Sequence, residues 1–381
     1  MTSTEVQSSQ LLFSRPEYEQ RLRAHREYMD RHGLDHLILV QPESLTYLSG
    51  YMTAGYTSSF AAGVVSRTGD PALLIRHAEE YWYRQTSWCP EPIWWYDGES
   101  VAEVLLRGIS ELGLRGRIGM EGGSWRAPYQ LIAAVMDGVP PTCTLVPDCD
   151  VSGLRLIKSE EELQVMRRAG EIADKMVQAA CDAAVPGITE RDLAAHMSAV
   201  GIRAGSGQLE SGPVSSGAAA KHIHASYTDR VLEPEDLVFI EVDTHSHNYY
   251  ARCMRSIRLG ARGGDVLRKW NDLRALQDEA FATVKHGVSC RIADSIIRDG
   301  LRDLGYAENY PNKTFYGLGF MLVPTAYEPI EVTPRSDFLF ESGMTLHGYL
   351  VLDGLNISET IVVREDGIER LTNFSRDLIE K

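Results

Sequence analysis

Near Gly153 the chain changes rhythm. Before that point short apolar runs alternate with helical stretches. A helix opens at Ser14-Arg-Pro-Glu17, a capping-box pattern with Pro16 in the first turn, and runs to about Arg31, where Gly33 stops it. Leu37 to Val40 reads as a strand. Phe60 to Ser66 and Ala72 to Ile75 read as a hairpin turning at Thr68-Gly69-Asp70. Ile93 to Tyr96 and Ile118 to Glu121 are further strands, with a helical stretch near Val101 to Leu112 between them. Such alternation predicts a small α/β domain over residues 1–153. Beyond the boundary, Ser159-Glu-Glu-Glu162 is a second capping box, and Leu163, Met166, Ala169, Ala173, Met176 and Ala180 recur at helical spacing. Val185-Pro186-Gly187 ends that helix, and Thr189-x-x-Asp192 opens another with Leu193, Met197 and Val200. After Gly205 strands take over: Leu237 to Val242, Met254 to Leu259, Thr345 to Val351 and Ile357 to Val363, with one further helical block over Asp265 to Lys285. Helices with a largely antiparallel sheet predict an α+β domain over residues 154–381.

Charge narrows the function classes. The 381 residues carry a net charge of −15, which argues against nucleic acid and anionic membranes as partners. No apolar run reaches the roughly 20 residues of a spanning helix. The N-terminal residues lack a basic segment followed by an apolar one, so a cytoplasmic location is expected. No pair among the six cysteines forms CxxC, which predicts free thiols and no structural zinc.

The histidines are unevenly spread. His222, His224, His245 and His247 fall within 26 residues. Period-two spacing puts each HxH pair on one strand face, and Glu241 and Asp243 precede the second pair in the same phase. Such clusters suit zinc, iron or general acid–base work; a solvated hairpin end gives the same pattern. The apolar run Leu237 to Val242 ends in carboxylates, which are costly at the end of a buried strand unless paired or used. Arg252, across the expected hairpin, is a partner for Glu241. Phe315-Tyr316-Gly317-Leu318-Gly319-Phe320 allows close backbone approach, but the chain has no phosphate loop, no dinucleotide fingerprint and no GxSxG elbow.

Several segments together resemble the pita-bread family of creatinase, prolidase and methionine aminopeptidase. They are Arg155-Leu-Ile-Lys158-Ser159 with Glu162 and Met166-Arg167; Ser216-Gly217 followed by His224; Thr228-Asp-Arg230 to Asp236; Gly343-Met344; and Thr360-Ile-Val-Val with Asp366-Gly367. The resemblance implies a pita-bread C-terminal domain behind a smaller creatinase/prolidase-type N-terminal domain. It also implies a homodimer in which the N-terminal domain, through Tyr56 to Phe60 or Trp94-Trp95-Tyr96, lies near the partner's active site. The metallopeptidases of that family use two aspartates, a histidine and two glutamates as ligands. Here those positions fall on Glu241, Arg252, Tyr316, Tyr349 and Ser358, so neither metal nor other cofactor is expected.

By resemblance to the metal-free members, creatinase and ectoine hydrolase, the expectation is a metal-independent hydrolase. It would cleave a C–N bond of a small polar or zwitterionic compound. His224 would move the proton, and Glu241 would orient water or bind a cationic group. Arg252 would hold a carboxylate, and Tyr316 and Tyr349 would donate hydrogen bonds and form walls. His347, on the strand face of Tyr349, would be a second acid–base group. Ser358, Glu359 and His222 complete the expected substrate-binding set. Two alternatives stand beside this reading. One is a non-catalytic binding module. The other is a lyase with a rearranged metal site drawn from His222, His224, Asp243, His245 and His247.

Overall fold

The computed structural model describes residues 11–207, 212–260, 262–323 and 325–381. The chain divides into two compact units, Met1–Arg155 with Leu322–Pro324, and Leu156–Met321 with Thr325–Lys381. No helix among the described residues is long and apolar enough to cross a membrane.

The first unit is built on a six-stranded sheet of order β4-β3-β2-β1-β5-β6. Its strands are β1 (His36–Leu39), β2 (Ala61–Ser66), β3 (Ala72–Arg76), β4 (Ile93–Trp95), β5 (Gly116–Met120) and β6 (Cys143–Val146). Helix α1 (Arg15–His32) starts on the Ser14 side chain and ends on Gly33, whose φ of 61° lets the chain turn away. Helices α2 (Pro42–Ser49), α3 (Glu80–Thr86), α4 (Val101–Glu111) and α5 (Tyr129–Gly138) complete the layers. Neither α2 nor α5 is predicted by the sequence: α2 is short, and α5 follows a proline cap without a side-chain hydrogen bond.

Glu121 ties this unit together. Its Oε2 accepts the Val40 and Gln41 N–H groups at 2.9 Å each, and its Oε1 accepts the Ser44 hydroxyl at 2.6 Å. Burial pushes its carboxyl up to about 7 despite those donors. A carboxyl raised above its unfolded value stabilises the fold at low pH and loses that contribution as pH rises through about 7. The size is on the order of 3 kcal/mol. Thermal melts from pH 5 to 8 should therefore show a fall in the wild type that is flattened in Glu121→Gln. Parallel curves for the two proteins would refute this.

The second unit has the pita-bread layout. Helices α6 (Glu160–Ala183) and α7 (Glu190–Arg203) cover a four-stranded sheet of order β15-β9-β8-β7, made from β7 (Val214–Ser216), β8 (Leu237–Ser246), β9 (Tyr249–Arg258) and β15 (Ile379–Glu380). Helices α8 (Gly264–Thr283) and α9 (Cys290–Asp303) cover a five-stranded sheet of order β11-β10-β12-β13-β14. Its strands are β10 (Phe315–Gly317), β11 (Glu328–Val332), β12 (Thr345–Leu352), β13 (Leu355–Val363) and β14 (Ile368–Arg370). Both predicted capping boxes of α6 and α7 form. The sequence expectation had one helical block where two stand. Cys290, Ala293, Ile297 and Leu301 carry the buried stripe of α9 at helical spacing.

Period-two alternation sorts the strands into two faces. Val238, Ile240, Val242, Cys253 and Ile257 pack into the core under α6 and α7. Leu346, Leu350, Ile357 and Ile361 pack under α8 and α9. The intervening residues, Glu241, Asp243, Arg252, Met254, His347, Tyr349, Ser358 and Thr360, face the other way. That second face carries the site.

Candidate active site

Register decides which side chains meet. The hairpin of β8 and β9 turns on His247 and Asn248, both with positive φ (49° and 61°), a two-residue turn that matches the twist of the strands. Asp243 then stands opposite Arg252, and Glu241 opposite Met254. The expected Arg252–Glu241 pair is therefore replaced: Arg252 Nε lies 3.0 Å from Asp243 Oδ1. The Arg252 Nη1 donates to the Tyr316 hydroxyl at 2.7 Å.

The five-stranded sheet supplies the opposite wall. Tyr316 pairs with His347 in register, and Tyr349 with Ser358. The Tyr316 hydroxyl is 2.6 Å from His347 Nδ1, and His347 Nε2 is 2.6 Å from Ser358 Oγ. Ser358 Oγ also accepts the Met254 N–H at 2.7 Å, across the seam between the sheets. Thr360 adds a reciprocal pair there: its hydroxyl accepts the Arg252 N–H at 2.8 Å and donates to the Arg252 carbonyl at 2.9 Å. The Tyr349 ring stacks on His347 with centroids 5.5 Å apart. At the rim, Lys313 Nζ sits 3.9 Å above the Tyr327 ring and 2.8 Å from Glu331.

The charges follow from this packing. Burial, reinforced by the neighbouring Asp243 and only partly opposed by Arg252, pushes the Glu241 carboxyl well above the usual range. Burial, and then the Arg252 charge, push His347 well below its usual range, so it is neutral at neutral pH. Burial likewise raises the Tyr316 and Tyr349 phenols. The Glu241 carboxyl and the Tyr349 hydroxyl have no hydrogen-bond partner among the described residues.

Other predicted residues lie elsewhere. Glu359 is one residue out of phase with Ser358 and so faces the helices, where Arg255 Nη2 holds it at 2.8 Å with both side chains fully buried. It is a structural ion pair and not part of the pocket wall. His222 and His224 are exposed on the loop after β7 and line an open cleft with Lys221, Pro311, Asn312 and Val351. Val351 is the next residue after Tyr349 on the same strand face, so the cleft adjoins the site. No hydrogen bond or ion pair among the described residues joins either histidine to Glu241, Arg252 or Tyr316. His245 is buried and stacks on Tyr250 at 4.9 Å, accepting the Asn248 N–H on Nδ1. Thr360 is the residue that sequence reasoning missed. Its signal is its place two positions after Ser358 on the same face.

Residues 164–365 match the model of metallopeptidase family M24, and residues 21–157 match the creatinase/prolidase N-terminal domain. The chain belongs to family M24. Among curated relatives it resembles the probable dipeptidase PepE of Mycobacterium tuberculosis, 26% identical over 373 residues covering 91% of this chain and 92% of that protein. It also resembles the Xaa-Pro dipeptidase of Pyrococcus horikoshii, 25% identical over 359 residues covering 93% and 97%. Among solved structures, the Xaa-Pro dipeptidase from Bacillus anthracis superposes with a TM-score of 0.81 at 20% identity, covering 96% of this chain and 100% of that one. These findings overturn the expectation of a metal-independent, creatinase- or ectoine-hydrolase-like enzyme for non-peptide C–N bonds. Both of these curated relatives, which match nearly end to end, are named as dipeptidases. The step that misled ran from the five ligand positions to a non-peptide substrate: those positions bear on metal binding and carry no information about which C–N bond is cut.

The family name implies metal ions, and the site residues can be tested for fit. Among the described residues no group of three or more His, Cys, Asp or Glu side chains could hold one. The Arg252 guanidinium, permanently charged, already pairs with Asp243, which leaves Glu241 as the one other carboxylate on this face of the hairpin among the described residues. A pair of divalent ions needs several carboxylates to balance its charge. The donor set present does not fit such a pair, nor the rearranged histidine site considered above.

Proposed function

We propose that this M24 chain takes a dipeptide-sized substrate, the class named for its relatives, and anchors its carboxylate on Arg252. The observation that carries the reading is the Arg252 guanidinium. Asp243 pairs with it electrostatically and Tyr316 accepts a hydrogen bond from Nη1, with Nη2 making no hydrogen bond among the described residues. Guanidinium recognises carboxylate through paired, planar donors. The Tyr349 hydroxyl and the Glu241 carboxyl, which burial pushes above the usual carboxylate range, stand on the same face as polar groups for the amide or amine of a substrate. The apolar side chain of Met254 and the Tyr349 ring share that face.

Hydrolysis of the amide bond is the activity that the relatives' names point to. A panel of dipeptides, including Xaa-Pro members, tests it by amino-acid release, in plain buffer and with added manganese or cobalt. Turnover of a subset of the panel, with binding seen by calorimetry, is the expected result. No release and no binding across the panel would end the proposal. A homodimer is proposed with it, and light scattering on the purified chain should give twice the 42.4 kDa of one copy.

A further inference from the structure

The hydrogen bonds behind Arg252 have a fixed direction at one end. A guanidinium can only donate, so the Tyr316 oxygen accepts from Arg252 Nη1. Its own proton is then free for its other close partner, His347 Nδ1, 2.6 Å away. With that proton given to His347, Nδ1 is bare and Nε2 carries the hydrogen; the reverse order, with Nδ1–H on the phenol oxygen's second lone pair and the Ser358 hydroxyl on Nε2, turns the Tyr316 proton away from His347. Nε2 faces Ser358 Oγ at 2.6 Å, and that oxygen also accepts the Met254 N–H. The relay therefore runs from Arg252 through Tyr316 and His347 to a backbone-anchored serine. His347 is fully buried and stacks under Tyr349.

We propose that His347 is a positioning residue that fixes, through Tyr316, which edge of the Arg252 guanidinium meets the substrate carboxylate. This rests on the functional reading above. Tyr316 holds Nη1 by a hydrogen bond, while Asp243 Oδ1, 3.0 Å from Nε, attracts the guanidinium as an ion pair without making a hydrogen bond to it. The Tyr316 bond is thus the directional contact that turns the guanidinium, and Nη2 is left to the ligand. A Tyr316 hydroxyl without an acceptor behind it is free to turn its proton toward the pocket, and Arg252 then loses one of its two anchors. The function of His347 in this scheme lies in the bare Nδ1 alone. The Nε2 hydrogen only holds the ring.

The two ring nitrogens can be separated by substitution. Asparagine places a carbonyl oxygen near the position of Nδ1, and glutamine places an amide N–H near that of Nε2. The probes are Ala-Pro and its C-terminal carboxamide, titrated calorimetrically into the full chain. Wild type should prefer the acid over the amide. His347→Asn should keep that preference within about threefold, whereas His347→Gln and His347→Phe should reduce it roughly tenfold or more. A general loss of packing would instead weaken all three variants alike and would move both probes together, which overturns the proposal.

A second readout needs no ligand. In protein labelled with ¹⁵N-histidine, the His347 signals, assigned by their disappearance in His347→Phe, should report the Nε2–H form unchanged from pH 5.5 to 8.5. An Nδ1–H form overturns the relay even if dipeptides bind. Failure of wild type to bind either probe, with the Nε2–H form intact, sinks the functional reading and the positioning role with it while leaving the hydrogen-bond order standing.

Discussion

Replacing Arg255 with methionine should lower the melting temperature of the pita-bread unit by roughly 6–20 °C, from a loss of about 3–5 kcal/mol. Arg255 is fully buried between the sheets and α6. Its Nη1 donates to the Met254 and Ser358 carbonyls at 2.8 and 2.9 Å, its Nε to Ser375 at 2.9 Å, and its Nη2 to Phe374 and to Glu359. Methionine fills similar volume but leaves those acceptors without donors. It also leaves the Glu359 carboxylate with only the Arg376 guanidinium, 3.3 Å away, Arg370 at 3.9 Å, and the Thr372 hydroxyl. Removing one member of a buried pair costs far more than the pair contributes, because a bare charge remains. Scanning calorimetry decides the matter. A shift below about 2 °C would mean that Arg376 compensates and that the pair carries little of the fold.

Arg252→Met should act on binding first and on stability second. Its partner Asp243 is a quarter exposed, so water can solvate the carboxylate that the substitution strands. Melting should therefore change far less than in Arg255→Met. Affinity for a dipeptide acid should fall roughly 30- to 1000-fold, from the loss of about 2–4 kcal/mol for a desolvated charged contact. Affinity for the corresponding carboxamide should change little. Arg252→Lys should fall closer to methionine than to wild type, because a single ammonium cannot reach Asp243, Tyr316 and a ligand together. Equal losses for acid and amide would show that Arg252 shapes the pocket without contacting the carboxylate.

Much of this was legible in the sequence, for identifiable reasons. The capping boxes at Ser159 and Thr189 announce α6 and α7 because they solve a local problem, the unpaired N–H groups of a first turn. Pita-bread architecture was readable because its motifs stand in order along the chain. The partner of Arg252 was misread because pairing across a hairpin depends on turn length. Once His247 and Asn248 are known to form a two-residue turn, Asp243 must face Arg252. Glu359 was misplaced by one residue of phase: the leucines and isoleucines of β12 and β13 face the helices, and Glu359 shares the parity of Ile357 and Ile361. The order of the relay through His347 was beyond the sequence, since it joins residues 252, 316, 347 and 358 from four strands of two sheets.

The bonds that Thr360 and Ser358 make to the backbone of Arg252 and Met254 join the two sheets along their seam. A seam closed by these three hydrogen bonds resists widening, so under the proposed dipeptide reading a tripeptide should bind more weakly than a dipeptide with the same C-terminal residue. Equal affinities by calorimetry would show that the seam does not set length.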